Sequence, residues 1–463
     1  MHKQSALTVA LMALLYSEGH AWGNGRFPKA DMLVSVPESD GRDLYLRSTF
    51  GILVSHDAGK RWEWICEEAL GFSGTWDPPI ALSRSGVLYV GLQSGLQKVL
   101  RNCESKAVTE LEGERVSDVS VDGSGKHALV VTSPADRQGA YYVENEQGAF
   151  EKRASLPEGY TWDTVDAAPS LPARVYMTGV RYPEKPYAHF LRSKDGGKTF
   201  EETHPKLAAD GRLFLSAVDA SNPEKVFVRQ IGDDWTELLV STNGGSSFES
   251  VLRTKSSILG FALSADGRTA WAAAGDPKEG LYRSDDGGAH FSHVADASLV
   301  CLHANKSGLF GCSNPMTRGG PLLYGSNDRG NTVATLSTFA DIQGPLACQK
   351  SCAATWAQTL DLVRGVPPKD AGAIDAAPTL GPSASAPAVP VASTPPAPKR
   401  SCGCHAVGKE SSRSPGRPAG WMAVGSFVAA MLVRRRHTKV RATALRSVDP
   451  HGSTVDNCNS AEM

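Results

Sequence analysis

The sequence predicts an all-β protein, a seven-bladed β-propeller, and two independent repeats support this prediction. One repeat is a turn of the form Ser-x-Asp/Asn-x-Gly. The other, which precedes each turn, is a pair of apolar segments joined by a short polar turn. Glycine and proline are also abundant, with 46 and 28 copies, as expected for a fold rich in turns. We expect the propeller to occupy residues 22–364.

The first repeat is carried by five turns, four of which match Ser-x-Asp/Asn-x-Gly-x-x-aromatic, while the fifth lacks only the aromatic ring. Its residues are Ser55, Asp57, Gly59 and Trp62; Ser193, Asp195, Gly197 and Phe200; Ser241, Asn243, Gly245 and Phe248; Ser284, Asp286, Gly288 and Phe291; and Ser326, Asp328 and Gly330. Two degenerate copies lie near residues 99–103 and 143–150. The seven copies begin 44, 44, 50, 48, 43 and 42 residues apart, which leaves room for four short strands each.

The second repeat also occurs seven times, and its short polar turns span residues 38–41, 83–86, 122–125, 170–173, 221–224, 264–267 and 305–308. The segments that follow these turns, such as 226–228, are rich in the β-branched and aromatic residues that suit strands. Each unit is therefore predicted to run strand, turn, strand, strand, Ser-x-Asp/Asn turn, strand.

The Ser-x-Asp/Asn turns are predicted to be structural. Short polar side chains hydrogen-bond backbone amides in tight turns, glycine tolerates a positive φ, and the aromatic ring packs beneath the loop. A calcium site is the alternative, but none of the turns has the alternating acidic ligands of a calcium loop. We expect no metal and no cofactor.

These turns resemble those of the Asp-box, or bacterial neuraminidase repeat, family, whose members include sialidase-like and sortilin-like β-propellers. The resemblance covers roughly residues 31–340. It implies the propeller fold, but it does not imply an activity, because such relatives share turns rather than chemistry.

Residues 1–21 are predicted to be a secretory signal peptide cleaved near Ala21. Lys3 precedes an apolar run over 6–16, and small residues follow it. An N-terminal anchor helix is the alternative, although the run is shorter than the roughly 20 residues that span a bilayer. Export to the cell envelope or cell surface, with possible release, is therefore expected, in surroundings that preserve disulfides.

Beyond the propeller, the sequence predicts a disordered Pro/Ala-rich linker over residues 365–400. Residues 401–436 hold a cysteine motif, a short hydrophobic helix over 418–433 and an arginine cluster, which is a stop-transfer pattern. A polar tail, 437–463, ends the chain.

The order of Cys402 and Cys404, the apolar helix, and Arg434, Arg435 and Arg436 resembles the C-terminal sorting tail of myxobacterial surface proteins. The resemblance implies processing near the cysteines, partners in the export and sorting machinery, and membrane contact through 418–433. The polar tail departs from that pattern. Metal binding is the alternative role for the cysteine motif.

The remaining cysteines of the propeller are predicted to form three disulfides, with buried free thiols as the alternative. If residues 305–308 form a hairpin turn, Cys301 lies opposite Cys312, at a separation that a disulfide tolerates. Cys348 and Cys352 are expected to close a short loop. The pairing of Cys66 with Cys103 rests partly on the resemblance, since similar cysteines recur in such propellers.

Composition and motifs argue against several functions. The net charge is −1, from 48 basic and 49 acidic residues, which disfavours a nucleic-acid partner. A sialidase needs three arginines converging on a carboxylate, and the sequence has no Phe/Tyr-Arg-Ile-Pro motif to supply one of them. A glycosidase needs two carboxylates, and loops are expected to carry the candidates, which are equally well interpreted as turn residues: Asp77, Asp163, Asp166, Asp233 and Asp234.

We therefore assign no catalytic residue, and we interpret the chain as an exported cell-surface β-propeller that acts as a non-enzymatic binding or display module. Its ligand would be a glycan or a protein. A sialidase-like glycoside hydrolase is the alternative. The loop 182–189, together with 233–235, is a candidate contact surface, although an ordinary surface loop is the simpler interpretation.

Overall fold

The computed structural model describes residues 29–364, apart from 37–38, 102, 182–186, 204–206, 208–210 and 314–319. Seven sheets of antiparallel strands confirm the seven-bladed β-propeller. The predicted signal peptide, linker, cysteine motif, hydrophobic helix and polar tail lie outside the described residues. Within the described ranges, no helix is long and apolar enough to cross a membrane.

Each blade takes four consecutive strands from one stretch of chain, in the order inner to outer. Blades 1 to 4 are formed by β1 (Ala30–Ser35), β2 (Leu44–Ser48), β3 (Gly51–Ser55) and β4 (Trp62–Cys66); β5 (Ile80–Leu82), β6 (Leu88–Leu92), β7 (Gly95–Val99) and β8 (Ser105–Ala107); β9 (Val116–Val121), β10 (Ala128–Thr132), β11 (Ala140–Glu144) and β12 (Phe150–Ser155); and β13 (Tyr160–Ala168), β14 (Leu171–Arg181), β15 (Tyr187–Ser193) and β16 (Glu201–Thr203).

Blades 5 to 7 are formed by β17 (Arg212–Val218), β18 (Val226–Ile231), β19 (Thr236–Ser241) and β20 (Glu249–Thr254); β21 (Ile258–Leu263), β22 (Ala270–Ala274), β23 (Leu281–Ser284) and β24 (Ser292–Ala295); and β25 (Leu299–Asn305), β26 (Gly308–Ser313), β27 (Pro321–Ser326) and β28 (Ala334–Thr338). A four-residue helix, α1 (Glu67–Leu70), follows blade 1, and the longer α2 (Ala353–Arg364) follows blade 7.

The first strands of the seven blades form a closed ring, because each contacts the first strand of the next blade and β25 contacts β1. The chain alternates direction within a blade, so first-to-second turns and third-to-fourth turns lie at the same end. We call this end the turn face. The opposite end, the crossover face, carries the second-to-third hairpins and the connections between blades.

Apolar residues of the middle strands fill the space between blades. The strands β3, β6, β10 and β22 are buried at every position, because both faces of a blade pack on neighbouring blades. Such strands appear in the sequence as short continuous apolar runs. Outer strands such as β12 are largely exposed.

The chain does not stop at blade 7 but returns to blade 1. A further strand, β29 (Ile342–Pro345), lies parallel to β4 and makes blade 1 five-stranded. Local patterns gave no indication of this strand, because its four residues pair only with a strand almost 300 residues earlier.

The disulfide pairing departs from the prediction in two of three bridges. Cys301 pairs with Cys312, and the register places them opposite each other on β25 and β26. The predicted Cys66–Cys103 and Cys348–Cys352 bridges are wrong: Cys66 pairs with Cys352 and Cys103 with Cys348, with Cα–Cα distances of 5.5 and 5.9 Å. The reason is the returning segment, which brings both late cysteines to the first two blades.

Candidate functional site

The Ser-x-Asp/Asn turns use their polar groups internally. In the first turn, the Ser55 hydroxyl donates to Asp57 Oδ1 at 3.0 Å and accepts the Gly59 amide at 2.9 Å. The same two hydrogen bonds occur in the four other turns, between Ser193, Asp195 and Gly197; Ser241, Asn243 and Gly245; Ser284, Asp286 and Gly288; and Ser326, Asp328 and Gly330. These side chains hold the turn face together.

Electrostatics agree with this structural role. Hydrogen bonds from the Thr199 hydroxyl and amide and from the Ser193 hydroxyl lower the pKa of Asp195 to about 2. Its carboxylate is therefore ionised, and its oxygens already accept hydrogen bonds from the turn. Gly59 has a φ of 84°, and a Cβ there would lie 2.5 Å from Leu323 of blade 7, so this turn needs glycine.

Where the repeat degenerates, a buried ion pair joins two blades. Glu144 ends β11, the position that serine holds in the intact turns. Its carboxylate accepts hydrogen bonds from the Lys98 ammonium at 2.6 Å, the Tyr89 hydroxyl at 2.6 Å and the Ala128 amide at 3.1 Å. Sequence reasoning missed this cluster, although a glutamate at the serine position was a usable signal.

A cavity of about 360 Å³ opens on the turn face between blades 5 and 6. Its most buried acid, Asp219, accepts hydrogen bonds from the amides of Ser221 and Asn222 and lies 3.4 Å from the Lys225 ammonium. The local turn thus satisfies this carboxylate. Among the described residues, no three His, Cys, Asp or Glu side chains converge as a metal site.

The crossover face has a different character. Around the start of the first strands lie Trp76, Arg115, Asp163, Arg212 and Phe214, which we call the mouth arc. The Arg115 guanidinium lies 5.3 Å from the Trp76 ring centroid, and that of Arg212 lies 5.2 Å from the Phe214 centroid. The arc therefore has an aromatic ring in contact with an arginine at each end and the acid Asp163 between the two arginines.

Charges within the mouth arc are paired. Arg212 forms an ion pair with Asp163, whose side chain is 7% exposed, whereas that of Arg212 is 41% exposed. Burial raises the pKa of Asp163, and Arg212 and Arg115 oppose this shift. The ion pair buries the acid and leaves the guanidinium accessible to a ligand.

Further along the same strands, two half-buried carboxyls lie on neighbouring blades. Asp118 Oδ2 of β9 accepts the Val165 amide of β13 at 2.9 Å, and Asp166 Oδ1 accepts the Ala167 amide at 2.9 Å. Burial raises the pKa of each to about 7, and Asp166 adds to the shift of Asp118. We call Asp118 and Asp166 the channel acids.

The structure brings together two of the five predicted carboxylate candidates. The prediction that Asp163 and Asp166 lie on loops is wrong, since both belong to β13 at the centre of the propeller. Asp118 was missed, because nothing in the sequence shows that β9 lies beside β13. The other candidates lie elsewhere: Asp77 precedes β5, and Asp233 and Asp234 form the β18–β19 hairpin.

In the described residues, Arg115 and Arg212 both face Asp163, whereas Arg47 of the crossover face pairs with a different acid. Arg47 pairs with Asp31 at 2.9 Å and donates to the Pro78 carbonyl at 2.8 Å. Arg212 pairs with Asp163. Of the candidate contact surface, 182–186 lie outside the described residues, while the Trp235 ring stacks with Arg253 at 4.9 Å.

Comparisons with known proteins find similar solved structures but no family. No family model matches the chain, and no curated protein matches it. Among solved structures, a GH74 xyloglucanase from Xanthomonas campestris is similar, with 16% identity over 69% of this chain and a TM-score of 0.35; this chain spans 65% of that protein's length. A GH74 enzyme from Niastella koreensis has 12% identity over 68% of this chain and 72% of its own, with a TM-score of 0.27.

The β-propeller domain of the Trilobed protease from Pyrococcus furiosus is also similar, with 9% identity over 67% of this chain and 98% of that domain, and a TM-score of 0.48. At such identities, similarity reports fold alone. The chain is a seven-bladed β-propeller whose structural neighbours include propellers of glycoside hydrolases.

Proposed function

We propose that this protein is an exported, non-enzymatic binding or display module that captures a glycan at the mouth arc. The observation that carries the proposal is the contrast between the two faces. Polar groups of the turn face are used by its own turns. The crossover face instead presents the Trp76 and Phe214 rings, each in contact with an arginine, and the accessible guanidinium of Arg212.

This combination suits a sugar better than a protein surface. Ligand sites combine apolar and aromatic walls with a few placed polar groups. A sugar ring offers an apolar face for an aromatic ring and hydroxyls for Arg212 and Arg115, which are donors only. A protein ligand is the alternative occupant, and the test below separates the two.

The burial and ion pairing of Asp163 favour a binding role over hydrolysis. A glycosidase needs one carboxyl that protonates the leaving group and another that acts as base or nucleophile. Asp163, the acid of the mouth arc, is 7% exposed and paired with Arg212. It is poorly placed to donate a proton.

The second candidate function, a sialidase-like or other glycoside hydrolase, has one observation in its favour. The channel acids both have a pKa raised to about 7, mainly by burial, and perturbed carboxyls of this kind often mark catalytic sites. Each also accepts a backbone amide, which is a structural role.

Export and surface sorting remain part of the proposal. They are supported by the three disulfides in the described part of the chain, which fit an oxidising compartment. Mass spectrometry of protein from the cell surface tests both ends: we expect a start near residue 22 and an end near residue 402. Recovery of intact peptides beyond residue 437 would indicate a permanently anchored form.

A glycan array with the exported protein tests the function. We expect Trp76→Ala or Arg212→Gln to lower the strongest signal about tenfold or more, because each removes one side of the arc. Arg61→Gln is the control, since Arg61 is an exposed arginine of the turn face, at the opposite end of the propeller from the arc. Equal binding by all variants contradicts the proposal, as does turnover of a fluorogenic sialoside that Asp118→Asn abolishes.

A further inference from the structure

The junction between blades 7 and 1 differs from the six others. Each blade is one contiguous stretch, so the chain itself passes from each blade to the next at six junctions. Blade 1 takes β1 to β4 from the start of the described chain, and blade 7 takes β25 to β28 from its later part. The backbone therefore reaches blade 1 from blade 7 only through the segment after β28, which pairs at the outer edge of blade 1. The inner strands of the two blades meet by packing and by the hydrogen bond between Ser35 Oγ and His303 Nε2 at 2.7 Å.

Residues 339–364 lie over this junction, and we call them the latch. The strand β29 pairs with β4, and the Leu346 amide donates to the Trp64 carbonyl at 2.9 Å. At the blade 7 side, Ser337 Oγ, just before the latch, accepts the indole N–H of Trp62 at 2.9 Å. The latch thus begins on the last blade and pairs along the first.

The latch is also part of the core. Phe339 packs on Phe50 with ring centroids 6.2 Å apart, and Trp356 of α2 packs on Trp64 at 5.4 Å. Phe339 and Val363 join one apolar cluster with residues of blade 1 and blade 7. This cluster spans the junction between blade 7 and blade 1.

Two disulfides fix the latch in place. Cys66 ends β4 and is bonded to Cys352, which lies 286 residues later and is fully buried. Cys103 of blade 2 is bonded to Cys348, 245 residues later, and Gln349 donates to the Cys103 carbonyl at 3.1 Å. Closing loops of this length removes much of the freedom of the unfolded chain.

We infer that the latch is a redox-controlled closure, which locks the propeller ring when Cys66–Cys352 and Cys103–Cys348 form and releases the blade 7 to blade 1 junction when they are reduced. Each bridge accepts two electrons and two protons from a dithiol, which becomes a disulfide, and leaves two thiols. In the reverse direction, two thiols pass the same electrons and protons to a disulfide oxidant. The inference is independent of the ligand.

Hydrogen exchange on the full chain tests the latch. We expect a variant lacking both bridges, with Cys66, Cys103, Cys348 and Cys352 changed to serine, to exchange amides of β1 and β29 about tenfold faster or more, while β13 and β17 stay unchanged. The matched control is Cys301→Ser with Cys312→Ser, which removes a bridge inside blade 7. It should accelerate β25 and β26, and β1 through its contact with β25, but leave the pairing of β29 with β4 unchanged.

If the cysteine variant fails to fold, a second measurement on wild-type protein tests the same inference. Wild-type protein, folded with its disulfides intact, is treated with dithiothreitol and followed by the same exchange. We expect β1 and β29 to accelerate, together with faster proteolysis within 339–364. Unchanged exchange at β1 after both latch bridges are shown by mass to be reduced would overturn the inference, as would an equal acceleration of all seven blades.

Discussion

Glu144 of blade 3 and Lys98 of blade 2 form an ion pair of 2.6 Å at the place where the turn repeat is lost, with side chains 7% and 15% exposed. Five blades are held at the turn face by serine hydroxyls, whereas blades 2 and 3 are held to each other by this charge pair.

We expect Glu144→Gln to destabilise the protein by about 3–5 kcal/mol, because it leaves the Lys98 ammonium buried without a countercharge. The double variant Glu144→Gln with Lys98→Met should recover most of this loss, because neither charge remains. Denaturant unfolding of the single and double variants measures both values. A double variant as unstable as the single one would show that the charge pair itself is not the cause.

The serine of an intact turn is predicted to contribute to stability through its hydroxyl. Ser193→Ala removes the acceptor of the buried Gly197 amide, and leaving such a group unsatisfied costs about 1–3 kcal/mol. The exposed Ser292 provides the matched control, where alanine should change the free energy of unfolding by less than about 0.5 kcal/mol. Thermal and denaturant unfolding compare the two. Equal effects would mean that the hydroxyl is not structural.

The channel acids predict a particular dependence of stability on pH. The folded-state pKa of Asp118, about 7, lies above the model value of 3.8, so the folded protein binds more protons between these values. The contribution of Asp118 to stability is thus fully present below about pH 4 and is lost as pH rises through 7. Asp118→Asn, which mimics the protonated acid, should be more stable than wild type at pH 8 and about equal at pH 4.

Asp195→Asn is the control for this experiment, because the pKa of Asp195 is lowered in the folded protein, whereas that of Asp118 is raised. The Asp195 carboxylate therefore contributes stability only above its unfolded-state pKa. At pH 8 it should be no more stable than wild type. Melting temperatures of wild type and both variants across pH 4–8 test this prediction. If Asp118→Asn melts below wild type at pH 8, the ionised carboxylate of Asp118 stabilises the folded protein and burial does not penalise it.

The number of blades was predictable, because a local sequence pattern recurs once in each blade. Ser193 and Gly197 could be assigned from spacing alone, since their bond joins residues four apart. The Cys301–Cys312 pair followed in the same way from one hairpin. Local geometry was sufficient wherever both partners lie within one blade.

Contacts between blades were not predictable in this way. Arg212 meets Asp163 across 49 residues, and Cys66 meets Cys352 across 286. Such pairs depend on how closely first strands approach and where the chain goes after blade 7. The channel acids were hidden for the same reason, because Asp118 and Asp166 become neighbours only when blades 3 and 4 pack against each other.

The most direct test of the central claim is a hydrogen-exchange footprint of the purified protein with the glycan that gives its strongest array signal. The account predicts protection at the mouth arc, in peptides covering Trp76, Arg115 and Arg212, with the glycan recovered intact. Protection confined to the turn face, or recovery of a cleaved glycan, would contradict it.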